Sequence, residues 1–223
     1  MKINIVFAIT LFFISSCSTL AFWSNDAEEE TAEPVKLTKI QNQYPIEVEW
    51  KRSFNGENDL GSFVPSFYSD EMIVADPDGN LVSINPSTGK INWEIDLKRN
   101  LSAGTASGFG KIIVSDTNGF VIAIDSITKE TLWEKSVGGE ILINGVISPS
   151  LIVVKNSAGE LVALDSLTGD QKWSFRSQLP ALTVRGTGEP IIENGTVFSA
   201  FDNGRMGAFQ LDTGYFLWDG PIS

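Results

Sequence analysis

The reactive side chains of this 223-residue chain are twenty-eight carboxylates, sixteen Lys and Arg, one cysteine and no histidine. Without histidine, the commonest general base and the commonest metal ligand are both missing. A single cysteine, Cys17, cannot form a disulfide within the chain, and no G-x-S-x-G nucleophile elbow occurs. The acid–base candidates that remain are carboxylates. Two of the most regularly placed, Asp125 and Asp165, precede Thr128-Lys129 and Thr168-Gly169, where a carboxylate can hold the backbone N–H groups of a turn. They are turn residues on this reading, not catalysts. The formal net charge is −12, and Lys51-Arg52 and Lys98-Arg99 are the only basic pairs, which excludes a nucleic-acid surface. The same acidity argues against electrostatic attachment to anionic lipid. The expectation is a protein with no catalytic residue, no metal and no cofactor.

The chemistry left to Cys17 is attachment. Met1-Lys2 gives a positive start, and Ile3 to Ile14 is almost wholly apolar but too short to span a bilayer comfortably. The stretch fits the h-region of a secretory signal peptide. Small residues follow, in Ile14-Ser15-Ser16-Cys17. This resembles the lipobox of bacterial lipoproteins, although the usual box begins with Leu. The resemblance implies that residues 1–16 are removed and that Cys17 is lipidated, palmitate included, as the mature N-terminus. Acyl chains contribute about 0.8 kcal/mol per buried CH₂, so several on one residue hold stably. Ser18, where an Asp would signal inner-membrane retention in that class, favours the outer membrane. Residues 17–43 then form an acidic tether containing Glu28-Glu29-Glu30, expected to be disordered.

What must position any binding residue is a repeat. Trp50, Trp93, Trp133, Trp173 and Trp218 recur at spacings of 43, 40, 40 and 45 residues. Ahead of each of the last four runs one phrase, from DPDGNLVSINPSTGKINW to FDNGRMGAFQLDTGYFLW. Gly79, Gly119, Gly159 and Gly204 supply tight turns, each followed by a strand-length run such as Phe120-Val121-Ile122-Ala123-Ile124. A second turn follows at Gly89, Gly169 and Gly214, with Lys129 as the one departure. A period near forty with several short strands is the signature of a β-propeller blade. The fold class is all-β, and the repeated Trp is structural, wedged between blades that cannot bury their faces alone.

The frame breaks in two places. The Gly-to-Trp distance is 14 in all four units, so the five extra residues of the last period lie between Trp173 and Gly204. That interval holds Leu179-Pro180-Ala181-Leu182-Thr183-Val184-Arg185-Gly186, an apolar stretch with one Arg. It is either a protein contact or the inner strand of the next blade. The second break is Trp50, whose strand, Val48 to Phe54, has no blade before it. It would complete a blade encoded further downstream, which makes residues 44–223 an N-terminal part of a larger propeller: four repeats plus an orphan closing strand.

These residues together resemble the BamB family, propeller lipoproteins of the outer-membrane β-barrel assembly (BAM) machinery. The resemblance rests on the lipobox at Cys17, the acidic tether, all four repeats, and above all on the L-x-V-R-G segment followed by Asp202-Asn203-Gly204-Arg205. It implies an eight-bladed, non-catalytic scaffold facing the periplasm, which binds the POTRA domains of BamA with other BAM subunits and aids insertion of β-barrel proteins. By that resemblance Leu182, Val184 and Arg185 touch BamA, and unfolded outer-membrane proteins are further partners. The phrase A-x-D-x-x-T-G-x-x-x-W is shared with pyrroloquinoline-quinone dehydrogenases, so a membrane-anchored quinoprotein is the alternative. A generic peptide- or glycan-binding propeller is another.

Overall fold

The structure is a computed structural model that describes Lys36 and residues 46–57, 61–178 and 188–222. The chain divides into two units, Met1–Glu47 and Val48–Ser223, and every strand among the described residues belongs to the second.

Each Gly-to-Trp phrase folds into the third and fourth strands of a four-stranded antiparallel sheet. Blade 1 comprises β1 (Ser66–Tyr68), β2 (Glu71–Ala75), β3 (Asn80–Ile84) and β4 (Ile91–Asp96). Blade 2 comprises β5 (Ala106–Gly108), β6 (Lys111–Ser115), β7 (Phe120–Asp125) and β8 (Thr131–Ser136). Blade 3 comprises β9 (Val146–Ile147), β10 (Leu151–Lys155), β11 (Glu160–Asp165) and β12 (Gln171–Arg176). Blade 4 comprises β13 (Ile191–Glu193), β14 (Thr196–Phe201), β15 (Arg205–Gln210) and β16 (Phe216–Pro221). Within each blade neighbouring strands are consecutive in the chain, and no helix occurs among the described residues. The innermost strands follow one another, β1 against β5, β5 against β9 and β9 against β13. This is the blade order of a β-propeller.

The core is a set of slabs between blades. Ile73, Ala75 and Leu81 of blade 1 share a cluster with Ile112, Val114, Ile122 and Ile124 of blade 2. Ile113, Val121 and Ala123 of blade 2 meet Ile152, Val154, Val162 and Leu164 of blade 3. Alternate residues of one strand thus face opposite neighbours. That is why the middle strands are apolar on both faces, as in Lys111–Ser115 (KIIVS) and Leu151–Lys155 (LIVVK).

The last strand of every blade carries one irregularity of register, between Ser83/Ile84, Ala123/Ile124, Ala163/Leu164 and Ala208/Phe209. Beside each bulge the repeated Trp lies opposite a small residue: Ser83, Ala123, Ala163 or Ala208. A bulge re-aims the side chain next to it, here the indole of each Trp.

Candidate partner-binding site and the joints between blades

The carboxylates Asp125 and Asp165 do what their spacing suggests. Asp125 Oδ1 accepts from the backbone N–H groups of Ile127 and Thr128, each at 2.8 Å, and Asp165 Oδ1 from Leu167 and Thr168 at 2.9 and 3.0 Å. Lys172 also reaches Asp165 Oδ2 at 3.0 Å. Lys172 and then those two backbone donors hold Asp165 well below the usual carboxylate range, at about 2. The N–H groups of Thr128 and Ile127 likewise lower Asp125, and Lys135 of the preceding blade lowers Asp170. Because the folded chain holds these protons less tightly than the unfolded chain, the stabilisation is complete above the unfolded value of 3.8 and is lost as pH falls through the folded one. The thermal midpoint should therefore be level from neutrality to about pH 5 and drop between about pH 4 and 2. Asp165→Asn should flatten that acid limb, and an unchanged limb would contradict the assignment.

The turn that Asp165 shapes is the seat of a tryptophan. Gly169 has φ 74°, and a Cβ there would lie 2.5 Å from Cε3 of Trp133, in the preceding blade. The Trp133 indole N–H donates to Ser166 O at 3.2 Å. Trp173 repeats the joint one blade on, over Gly214 and with its N–H on Leu211 O at 2.7 Å. Trp50 repeats it on blade 1, over Gly89 and with its N–H on Pro86 O at 2.8 Å, while Arg52 Nε donates to Gly89 O. Residues 46–57 carry no strand, yet Trp50 occupies the seat that the preceding blade's Trp fills elsewhere.

Two of the five repeated tryptophans depart from this pattern. Lys129 stands in place of the seat glycine at the joint of blades 1 and 2, with φ 64°. A side chain there blocks the seat. Trp93 instead gives its N–H to Glu71 Oε2 of its own blade at 3.1 Å, and the Lys129 ammonium lies 4.2 Å from the ring centroid. Trp218 is 45% exposed and packs on Phe198, its ring centroid 6.1 Å away.

Of the residues singled out for partner contact or lipidation, Cys17, Leu182, Val184 and Arg185 lie outside the described residues. The flanks of residues 179–187 are described. The crossovers between blades span residues 97–105, 137–145 and 177–190, so the third is five residues longer than the other two. The inner strand of blade 4 is β13, beyond this segment. The lengthened crossover leaves blade 3 at Ser177, whose N–H donates to Gly159 O at 3.2 Å and whose Oγ accepts from Asn203 Nδ2 at 3.0 Å. It returns at Gly188, whose carbonyl accepts from Lys155 Nζ at 3.0 Å; the same ammonium donates to Ala200 O at 2.9 Å. Lys155 is 6% exposed. Burial lowers its pKa, and the negative charge of Asp202 opposes that shift. The sequence gives no sign of this buried ammonium, because a Lys at a strand end ordinarily points to water.

Antiparallel four-stranded blades joined by a Trp seated on the next blade's turn define a β-propeller of the quinoprotein-like class. The family model described as "Outer membrane protein assembly factor BamB" matches residues 77–223. The chain is 47% identical over 199 residues to the protein of that name from Kangiella koreensis, covering 88% of this chain and 51% of the relative. It is 47% identical over 192 residues to the one from Pseudomonas aeruginosa, covering 85% and 50%. The chain belongs to the BamB family. It spans about half the length of these curated relatives. Among solved structures, the crystal structure of BamB from Moraxella catarrhalis superposes with a TM-score of 0.64 at 24% identity, over 71% of this chain and 48% of that one. A quinohemoprotein alcohol dehydrogenase from Pseudomonas putida HK5 superposes with a TM-score of 0.59 at 16% identity, over 74% and 34%. At these identities both likenesses are of fold.

Proposed function

We propose that this chain is part of a non-catalytic scaffold lipoprotein of the outer-membrane β-barrel assembly machinery. In this reading residues 1–16 are a signal peptide, Cys17 carries the lipid, and residues 17–43 tether the propeller to the periplasmic face of the outer membrane. The propeller binds the POTRA domains of BamA through Leu182, Val184 and Arg185, beside the other BAM subunits, and so aids insertion of unfolded barrel proteins. The supporting observation is the crossover between β12 and β13, five residues longer than the other two crossovers between blades, in a chain of the BamB family. Insertions of this kind on a rigid scaffold are where binding residues concentrate.

A quinone-dependent dehydrogenase is favoured only by the shared fold. Such enzymes set a vicinal disulfide against the quinone and coordinate Ca²⁺ with carboxylates. The chain has one cysteine, and no group of three or more metal-binding side chains assembles among the described residues. These residues do not fit the quinone or its ion.

The test is calorimetric binding of the full chain to the BamA POTRA array, with circular dichroism as the check of folding. Arg185→Ala or Leu182→Asp should weaken binding about tenfold or more. Retained affinity in a folded variant would remove the segment from the interface, and no binding by the folded wild type would remove the scaffold role.

A further inference from the structure

The second strand of each blade places one residue four positions before the turn glycine: Ala75, Ser115, Lys155 and Ala200. Three of these are small. Lys155 is the exception, and it stands in the blade from which the lengthened crossover departs. The first crossover shows what this place does elsewhere. Its Ser102 donates a backbone N–H to Ser115 O at 3.0 Å, which ties that crossover directly to the second strand of blade 2. At the corresponding carbonyl of blade 4, Ala200 O, the donor is the Lys155 ammonium, arriving from the preceding blade at 2.9 Å.

The same ammonium donates to Gly188 O, at the returning end of the lengthened crossover, at 3.0 Å. A Cβ on Gly188 would lie 3.5 Å from Ala200 Cβ, so crossover and strand run close together here. Their two carbonyl oxygens cannot bond each other, and a donor has to stand between them. Lys155 supplies it, because one ammonium carries three N–H groups and can serve both acceptors. A buried charge is costly unless hydrogen bonds and an opposing charge compensate it. Lys155 is buried, takes both carbonyls and feels the negative charge of Asp202. At the departing end of the crossover, Ser177 Oγ accepts from Asn203 Nδ2. Both ends of the crossover are thus attached to the β14–β15 hairpin of blade 4, the returning end through a side chain of blade 3.

We propose that Lys155 is a positioning residue for partner binding: its ammonium fixes the returning end of the lengthened crossover against β14 and so sets how Leu182, Val184 and Arg185 are presented. This role rests on the POTRA-binding reading of that segment. Lys155 itself makes no contact with the partner and acts through the crossover.

The test uses the full chain, with circular dichroism as the check of folding. Lys155→Met keeps a long side chain and removes its donors, and Lys155→Ala gives blade 3 the residue that blades 1 and 4 carry there. Calorimetric binding to the POTRA array should weaken about tenfold in both. In brief tryptic digestion, cleavage after Arg185 should quicken severalfold, while cleavage after Lys98, in the first crossover, keeps its wild-type rate. Lys155→Arg, which restores a charged donor, should recover most of the affinity. In an Arg185→Ala background Lys155→Met should cost little more, whereas a merely structural loss would add in full. Undiminished affinity in the folded Met and Ala variants, wild-type cleavage after Arg185, or full additivity would overturn the role. A folded wild type that binds no POTRA domain is the separate failure of the scaffold reading, and cleavage after Arg185 then decides by itself whether Lys155 holds the crossover.

Discussion

Replacing Trp173 with alanine is expected to destabilise the propeller unit by about 3–5 kcal/mol, the range for truncating a large buried aromatic side chain. The residue is 9% exposed and closes the joint between blades 3 and 4. It lies over Gly214 and stacks on Phe209 with centroids 6.3 Å apart. Truncation also leaves the Leu211 carbonyl without the N–H that reaches it at 2.7 Å. Repeated units gain their stability from nearest-neighbour interfaces, so the loss should be local. Blade 4 should detach first, giving a urea transition that begins earlier and broadens. Trp218→Ala is the internal comparison: a half-exposed residue with one ring contact should cost about 1 kcal/mol or less. Equal effects at the two positions would refute the seat as the source of stability.

Gly169→Ala should cost about 3 kcal/mol, which is unusual for adding a methyl group to a surface turn. Two effects combine. An L-residue at φ 74° loses about 1 kcal/mol to backbone strain alone. The new Cβ would then lie 2.5 Å from the Trp133 ring and 2.8 Å from Lys135 Cγ, so the indole must leave its seat. Gly138 separates the two contributions. It has the same φ of 74°, but a Cβ there meets nothing within 4 Å. Gly138→Ala should therefore show the strain by itself, and the difference between the two variants measures the joint. If both cost the same in urea unfolding, the glycine serves the turn alone.

The Trp-to-Gly spacing made the blades legible, because each phrase is a whole β-hairpin ending at a docking residue. The roles of Asp125 and Asp165 were legible for a similar reason: a carboxylate two and three residues before N–H groups of a turn has only local partners to find. The identical tryptophans did not declare their different fates. Trp93 departs because of Lys129, a residue 36 positions further on whose meaning depends on knowing that its Cβ would occupy the seat of the preceding blade's indole. Lys155 was hidden too. Its strand reads as an apolar run ending in a charge, and only the approach of Gly188 and Ala200 turns that charge inward.

The exchange at Lys129 also gives the chain a native optical label. The three seated indoles, Trp50, Trp133 and Trp173, each offer their N–H to a backbone carbonyl, whereas Trp93 holds a carboxylate on its nitrogen and an ammonium against its ring. Its emission therefore originates in a charged environment unlike that of its counterparts. Subtracting the emission of a Trp93→Phe variant would isolate that contribution and let the first seam of the propeller be watched opening with no dye attached.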